Sequence, residues 1–217
     1  MAVIVIVPFR GREPQLTRLL PMLQADANVG RVIVAEPAAG GPFNRGLVKN
    51  VGFMAAGAAP GDTVYFHDVD LLHGPQFTGL TPVAPNEVRH VYGHAHCLGG
   101  IVGMQAAVFE RVNGFCTHRA AWGLEDRHLR EACDAHGVRL ARGPEVLRFT
   151  NDAVVAEMDA RGNVLSGPKA ARIFRSAHTA PQPARPRLNG HLAQTRVSTM
   201  RWYWHPAMPK VQLVKFT

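Results

Sequence analysis

Val3-Ile4-Val5-Ile6-Val7 is an unbroken β-branched run that stops at Pro8. β-Branched side chains are stiff at χ1 and fit a pleated surface. A run with no polar alternation has no face to offer water, so it reads as a strand buried on both sides, as inside a parallel sheet. Helical spacing follows at once, with Leu16, Leu19, Leu20 and Leu23 inside Glu13 to Leu23. Pro14 suits the first turn of that helix, and Pro21 is expected to kink or shorten it. The alternation continues with a strand over Arg31 to Ala35 and a helix over Phe43 to Ala59, whose Leu47, Val51 and Met54 share a face. After the turn Pro60-Gly61-Asp62 comes a strand, Thr63 to His67. Val88 to Tyr92 reads as a strand, Gln105 to Val112 as a helix stopped at Asn113-Gly114, and Leu124 to His136 as a helix ended by Gly137. Val138 to Ala141 and Val146 to Phe149 read as short strands. Strands alternating with helices predict an α/β fold with a mostly parallel sheet flanked by helices. In such sheets ligands bind beyond the carboxyl ends of the strands.

Length and composition bound the rest. At 217 residues, 47% hydrophobic and 18% charged, the chain suits one globular domain and excludes a disordered one. The expected organisation is a single catalytic-sized domain over 1–217, with a core to about 178. A basic, Pro-rich extension over about 179–217 would dock through Trp202-Tyr203-Trp204. No apolar run is long enough to span a bilayer, and Met1 to Pro8 lacks the basic region of a signal peptide, so a cytoplasmic location is expected. Cys97, Cys116 and Cys133 form no Cys-x-x-Cys pair, which argues against a disulfide framework or a zinc site. The net charge of +8 is uneven: no Asp or Glu follows Asp159, whereas ten Lys or Arg do. That basic quarter suits an anionic partner (a diphosphate, an acidic acceptor, a membrane surface or a nucleic acid) or is a tail that aids solubility.

Four segments carry chemistry. Asp68-Val69-Asp70 ends the strand Val64-Tyr65-Phe66-His67. Hard carboxylate oxygens suit Mg²⁺ or Mn²⁺, and such an ion bridges phosphate oxygens of a diphosphate leaving group. Alone, an Asp pair in a turn is commonplace. Pro8-Phe9-Arg10-Gly11-Arg12 follows the first strand directly, where arginines hold phosphate or a base edge, or stay solvated. Phe43-Asn44-Arg45 opens a helix, whose N-terminus favours anions or is simply capped. Trp122-Gly123-Leu124-Glu125-Asp126 starts another, and its acids serve either as caps or as a base that removes a proton from an attacking hydroxyl.

Taken in order, these segments resemble the β-1,4-galactosyltransferase family, glycosyltransferase family 7. The resemblance rests on VIVPFRGR, FNRGLVKNVGF (43–53), FHDVDLL (66–72), LGGIVGMQAAVFERVNGF (98–115) and WGLED (122–126), with a fainter echo in IFRSAH at 173–178. It implies a GT-A fold, a UDP-sugar donor, Mn²⁺, a carbohydrate acceptor and inversion at the anomeric carbon. By motif, Pro8, Phe9, Arg10 and Arg12 fall to the uridine and its phosphates, and Phe43 and Arg45 complete the nucleotide site. Asp68 and Val69 fall near the ribose or metal, and Asp70 becomes the direct metal ligand. Gly99 and Gly100 would let the backbone approach the donor sugar. Trp122 would line the loop over the sugars, and Glu125 and Asp126 would meet the acceptor, with Asp126 the general base.

Departures from the family pattern sharpen the expectations. Arg127 and His128 follow Glu125-Asp126 where the family has further acids. The Met-x-x-His that completes the family's metal site is replaced by Leu147-Arg148-Phe149-Thr150-Asn151-Asp152, leaving Asp152 or His178 as substitute ligands. Cys97 stands where the vertebrate galactose enzymes carry a bulky aromatic residue, which makes room for an N-acetylated donor such as UDP-GalNAc. Two other readings remain: transfer to a nucleic acid gripped by the basic tail and its aromatics, and an inert sugar-binding module of the same fold.

Overall fold

The computed structural model describes residues 1–39, 43–72, 77–93, 96–117, 124–142, 192–193 and 195–217. Twelve elements follow in chain order: β1 (Val3–Pro8), α1 (Glu13–Ala25), β2 (Val29–Pro37), α2 (Arg45–Ala56), β3 (Thr63–His67), β4 (Glu87–Tyr92), β5 (Ile101–Gln105), α3 (Ala106–Arg111), α4 (Leu124–Ala135), β6 (Arg139–Arg142), β7 (Met200–Trp204) and β8 (Val211–Phe216). The expected strand at Val146 to Phe149 lies outside the described residues.

β1 is the centre. It pairs in parallel with β2 on one side and β3 on the other, and all six of its residues are buried. Its alternate side chains feed two cores. Ile4 and Ile6 pack with Phe53, Phe66, Phe109, Phe115 and Leu129, while Val3, Val5 and Val7 pack with Leu19, Leu20 and Leu23 of α1. The unbroken apolar run therefore has a simple cause: both faces of the strand are covered.

The sheet is mixed, in the order β6-β4-β5-β3-β1-β2-β8-β7. β1–β2, β1–β3, β2–β8 and β4–β6 are parallel, and β3–β5, β4–β5 and β7–β8 are antiparallel. The tail docks differently from expectation. β8 enters the sheet beside β2, with Val211, Val214 and Phe216 buried, and β7 folds back on it as an edge strand. Trp202, Tyr203 and Trp204 stay exposed, at 48%, 46% and 60% of their surface, so the buried apolar residues of β8 and not the aromatic cluster anchor the C-terminus. α1 also runs on past Pro21 to Ala25, with Pro21 on its exposed side. No helix among the described residues is long and apolar enough to cross a membrane.

β5 has a glycine where its neighbour needs space. A Cβ on Gly103 would stand 2.3 Å from the ring of Tyr65, which is wholly buried in β3 and donates its hydroxyl to the Thr81 carbonyl at 2.7 Å. Gly103→Ala overpacks this contact, and such overpacking costs about 1–3 kcal/mol. Urea unfolding should report a lowered midpoint with an unchanged slope.

Candidate functional site

β1 and β3 run parallel, so their carboxyl ends open on the same edge. There the chain leaves β1 through Pro8 and turns at Gly11, whose φ of 61° is in the left-handed region. It leaves β3 at His67 and turns, with the Leu71 amide donating to the Asp68 carbonyl at 3.2 Å. The Asp68 amide in turn donates to Gly100 O at 2.9 Å. Between these turns and the start of α2 lies a cavity of about 230 Å³ lined by Pro8, Arg10, Gly11, Arg12, Phe43, Arg45, Asp68, Val69 and Asp70. Every expected nucleotide-site residue except Phe9 reaches it. Phe9 is buried in the α1 core, 6% exposed, and does not line the cavity.

α2 supplies the far wall. Asn44 caps it by accepting from the Leu47 amide at 2.9 Å, and its amide group donates to Thr117 O at 2.7 Å. Arg10 lies over the Phe43 ring, 4.9 Å from its centroid. Arg12 is paired with Asp70. Asp68 and Asp70 diverge in character. Burial opposes ionisation of Asp68, but Lys49, Arg45, His67 and Arg12 together hold it below the usual carboxylate range. Asp70 is pushed up, first by burial and then by the charge of Asp68, against the pull of Arg12 and Arg45.

One turn deeper, α2 meets α4. Lys49, 1% exposed, donates to Asp126 Oδ1 at 2.9 Å and stands 3.8 Å from Glu125 Oε1. Burial works against its charge, but Asp126, Asp68 and Glu125 more than restore it, and its pKa is raised. Asp126 and Glu125 are themselves buried, at 5% and 3% exposure. Gly99 abuts them: a Cβ there would lie 2.5 Å from Asp126 Oδ2. Gly100 has φ of 74°, and a Cβ on it would lie 2.4 Å from Tyr92 O. The two glycines thus admit the Asp126 carboxylate and the Tyr92 carbonyl, which is a different use of their bareness from the expected approach of a sugar. Cys97, half-buried beside this group, has its thiol pushed up by burial and by Asp126.

Lys49 and Asn50 were missed in the sequence. Asn50 donates to Phe115 O and accepts from the Phe115 amide, both at 2.9 Å, and so ties α2 to the turn after α3. The signal was present. Residues Val48 to Phe53 are all buried in α2, and a lysine inside a helix that is apolar nearly all round must be paired. Trp122, Asp152 and His178 lie outside the described residues. Among the described residues no group of three or more His, Cys, Asp or Glu side chains converges on a metal position. Asp68 and Asp70 are the carboxylates at hand.

Residues 1–77 match the family described as the N-terminal region of glycosyl transferase group 7, and residues 83–152 match that described as the N-terminal domain of galactosyltransferase. β-1,4-Galactosyltransferase 4 of Cricetulus griseus is 30% identical over 162 residues, 68% of this chain and 47% of that protein. The Homo sapiens protein of the same name is 31% identical over 162 residues, with the same 68% and 47% shares. The chain spans about half the length of these curated relatives. A mutant of Drosophila β1,4-galactosyltransferase 7, solved with manganese, UDP-Gal and xylobiose, superposes with a TM-score of 0.69 at 18% identity, covering 99% of this chain and 93% of that one. At that identity the likeness is one of fold, and the fold is GT-A.

His90 of β4 holds this site from behind. In the tautomer protonated at Nε2 it donates to Gly99 O at 3.0 Å, beneath Asp126. Burial pushes its pKa down to about 4 from 6.5. The unfolded chain therefore takes up a proton below pH 6.5 that the folded chain refuses until about pH 4. The stability present above pH 6.5 is lost as pH falls through that window, by up to about 3 kcal/mol. Denaturation curves between pH 7 and 4 should show the loss, and His90→Gln should flatten this part of it.

Proposed function

The chain belongs to glycosyltransferase family 7, and from that premise we propose that it transfers a hexose from a UDP-sugar to the hydroxyl of a carbohydrate acceptor, with inversion and with a divalent metal. The observation that carries this reading is the cavity at the ends of β1 and β3, where Arg10, Arg12 and Arg45 meet Asp68 and Asp70. Three guanidinium groups around a pair of carboxylates suit a diphosphate that arrives with a cation.

The donor set fits Mn²⁺ or Mg²⁺. Asp70 is buried next to the negative Asp68, and its raised pKa marks a carboxylate short of positive charge. Asp70 and Asp68 would hold the ion, which when bound neutralises charge developing on the departing diphosphate. Asp152 and His178 remain the proposed further ligands. The protein's own groups do the rest. Phe43, with Arg10 across its ring, makes a flat wall for the uracil. Arg12 of the β1 turn and Arg45 of α2 both line the cavity and would meet the phosphates. Asp126 removes the proton of the acceptor hydroxyl as its oxygen bonds to the anomeric carbon from the side opposite the diphosphate. The bond from that carbon to the diphosphate oxygen breaks, and UDP leaves.

Galactose is the proposed donor sugar, in keeping with the relatives' names and the UDP-Gal held by the Drosophila enzyme. Cys97 in place of an aromatic side chain extends the proposal to UDP-GalNAc. Side-by-side donor assays decide between them, and strict rejection of N-acetylated donors removes the extension. Transfer to nucleic acid has lost its support. Lys215 of the basic tail is paired with Glu36 at 3.1 Å, and Lys210 donates to the Gln24 and Asp26 carbonyls, so these cations serve the fold. An inert module is not favoured either, because Asp70 and Asp126 are in place.

The test is thermal melting with UDP-galactose, with and without Mn²⁺. A ligand at 100 times its Kd adds about 2.7 kcal/mol. Asp70→Ala should lose the Mn²⁺-dependent part of the shift. Asp126→Asn should keep it and lose about 10²–10⁴-fold in kcat, the usual contribution of a positioned base. Wild-type protein that shows neither UDP-dependent stabilisation nor transfer would refute the reading.

A further inference from the structure

Two neighbouring buried carboxylates share one buried cation at the head of α4. Lys49 Nζ is within hydrogen-bond distance of Asp126 Oδ1, at 2.9 Å, and beyond it from Glu125 Oε1, at 3.8 Å. The ammonium is fixed from below by the Phe115 ring, 4.6 Å to its centroid, and Phe115 is pinned by Asn50. Asp126 is held on its other sides as well. Its backbone carbonyl accepts from the Leu98 amide at 3.1 Å, and its Oδ2 fills the space a side chain at 99 would take. Among the described residues, the charged and titratable groups facing this pair are Lys49 and Arg45 of α2, Asp68 beyond β3, Cys97 before β5 and, behind Gly99, His90 of β4.

We propose that Lys49 is a positioning residue: by holding Oδ1 it makes Asp126, and not Glu125, the ionised carboxylate of the pair, and it leaves Oδ2 as the oxygen that takes the acceptor's proton. The inference rests on the glycosyl-transfer reading above for its catalytic part. One cation compensates one buried carboxylate, and the second is cheaper to keep protonated than to ionise beside the first. Glu125 follows that rule, its pKa raised by burial first and then by the charge of Asp126. Its Oε1 also has no hydrogen-bond partner among the described residues. Because the selecting group is on α2, the same helix that walls the nucleotide cavity also sets which acid is the base.

The experiment has two independent arms. In the free protein, carboxyl ¹³C NMR across a pH titration should show Asp126 ionised while Glu125 is still protonated. The reverse order overturns the proposal whatever the protein transfers. In the second arm, Lys49→Met should leave KM for the UDP-sugar unchanged and lower kcat by about 10²-fold, the scale of a mispositioned base. The acid limb of kcat/KM should move up by about one pH unit or more, as expected when a carboxylate loses its cation. Lys49→Met with Glu125→Gln exchanges a carboxyl that is already protonated for a neutral amide and still leaves Asp126 without its cation, so the limb should stay displaced as in Lys49→Met alone. Wild-type kcat and pH limb in Lys49→Met make Lys49 a packing residue, and a limb restored to the wild-type position in the double variant means that Glu125 carried the charge; either result defeats the proposal. Failure of the wild type to bind UDP-sugar with Mn²⁺ defeats the functional reading instead, and the order of ionisation seen by NMR then decides the role of Lys49 by itself.

Discussion

Helix α2 lies directly on the central strands because Gly52 has no side chain. A Cβ there would stand 2.5 Å from Ile6 Cγ2 and 3.3 Å from Ala35 Cβ, in β1 and β2. Gly46 repeats the device at the other end, where a Cβ would lie 2.0 Å from Cys116 O. With backbone rather than side chain at these contacts, the helix has little freedom to slide or roll. The residues on it and just before it are placed as a consequence. Phe43 and Arg45 fall at the cavity, Lys49 at the acids of α4, and Asn50 at the turn carrying Phe115. One close approach thus sets the distances between groups from three different parts of the chain.

The cost of that arrangement is buried charge. Desolvating a lysine and a carboxylate takes several kcal/mol per ion before their attraction offsets it, and a well-packed apolar pair is often at least as stable. Stability alone therefore gives no reason for Lys49 to sit under Asp126 at 1% exposure. A carboxylate that must be charged inside a nearly dry site does give one. The same reasoning explains the cavity, where Asp68 is held ionised by surrounding cations and Asp70 is left under-compensated. Charge is distributed unequally between neighbours in both places, and inequality is what lets two similar carboxylates do different work.

The sequence made the first half of this fold legible wherever one chemical cause dominated. β1 is a continuous apolar run, β3 has an apolar centre, α1 has clean leucine spacing, and both DVD and FRGR sit at strand ends, so the cavity's lining could be anticipated apart from Phe9. β5 was not anticipated, because Gly103 interrupts a five-residue strand whose lack of a side chain makes sense only once Tyr65 is seen across from it. β8 was overlooked for a related reason. Its pairing with β2 spans most of the chain's length, and no local pattern announces a partner so remote. Phe9 packs into the core and not into the cavity wall, because a motif gives the order of residues and not the face each one presents.

The C-terminal charge shows where composition misleads. Ten cations without an acid after Asp159 suggest a strong external field when counted along the chain. In space, β8 runs beside β2, which brings Lys215 to Glu36, and Lys210 reaches back to carbonyls at the end of α1 and just beyond it. Glu36, an acid distant in sequence, is a neighbour of Lys215 across the sheet. A field argument from net charge holds only for cations that the fold leaves unpaired, and the parallel pairing of β8 with β2 removes Lys215 from that count. The proposed binding charge is that of the arginines that the β1 turn and the α2 N-terminus bring to one cavity, in the half of the chain whose formal charge is close to zero.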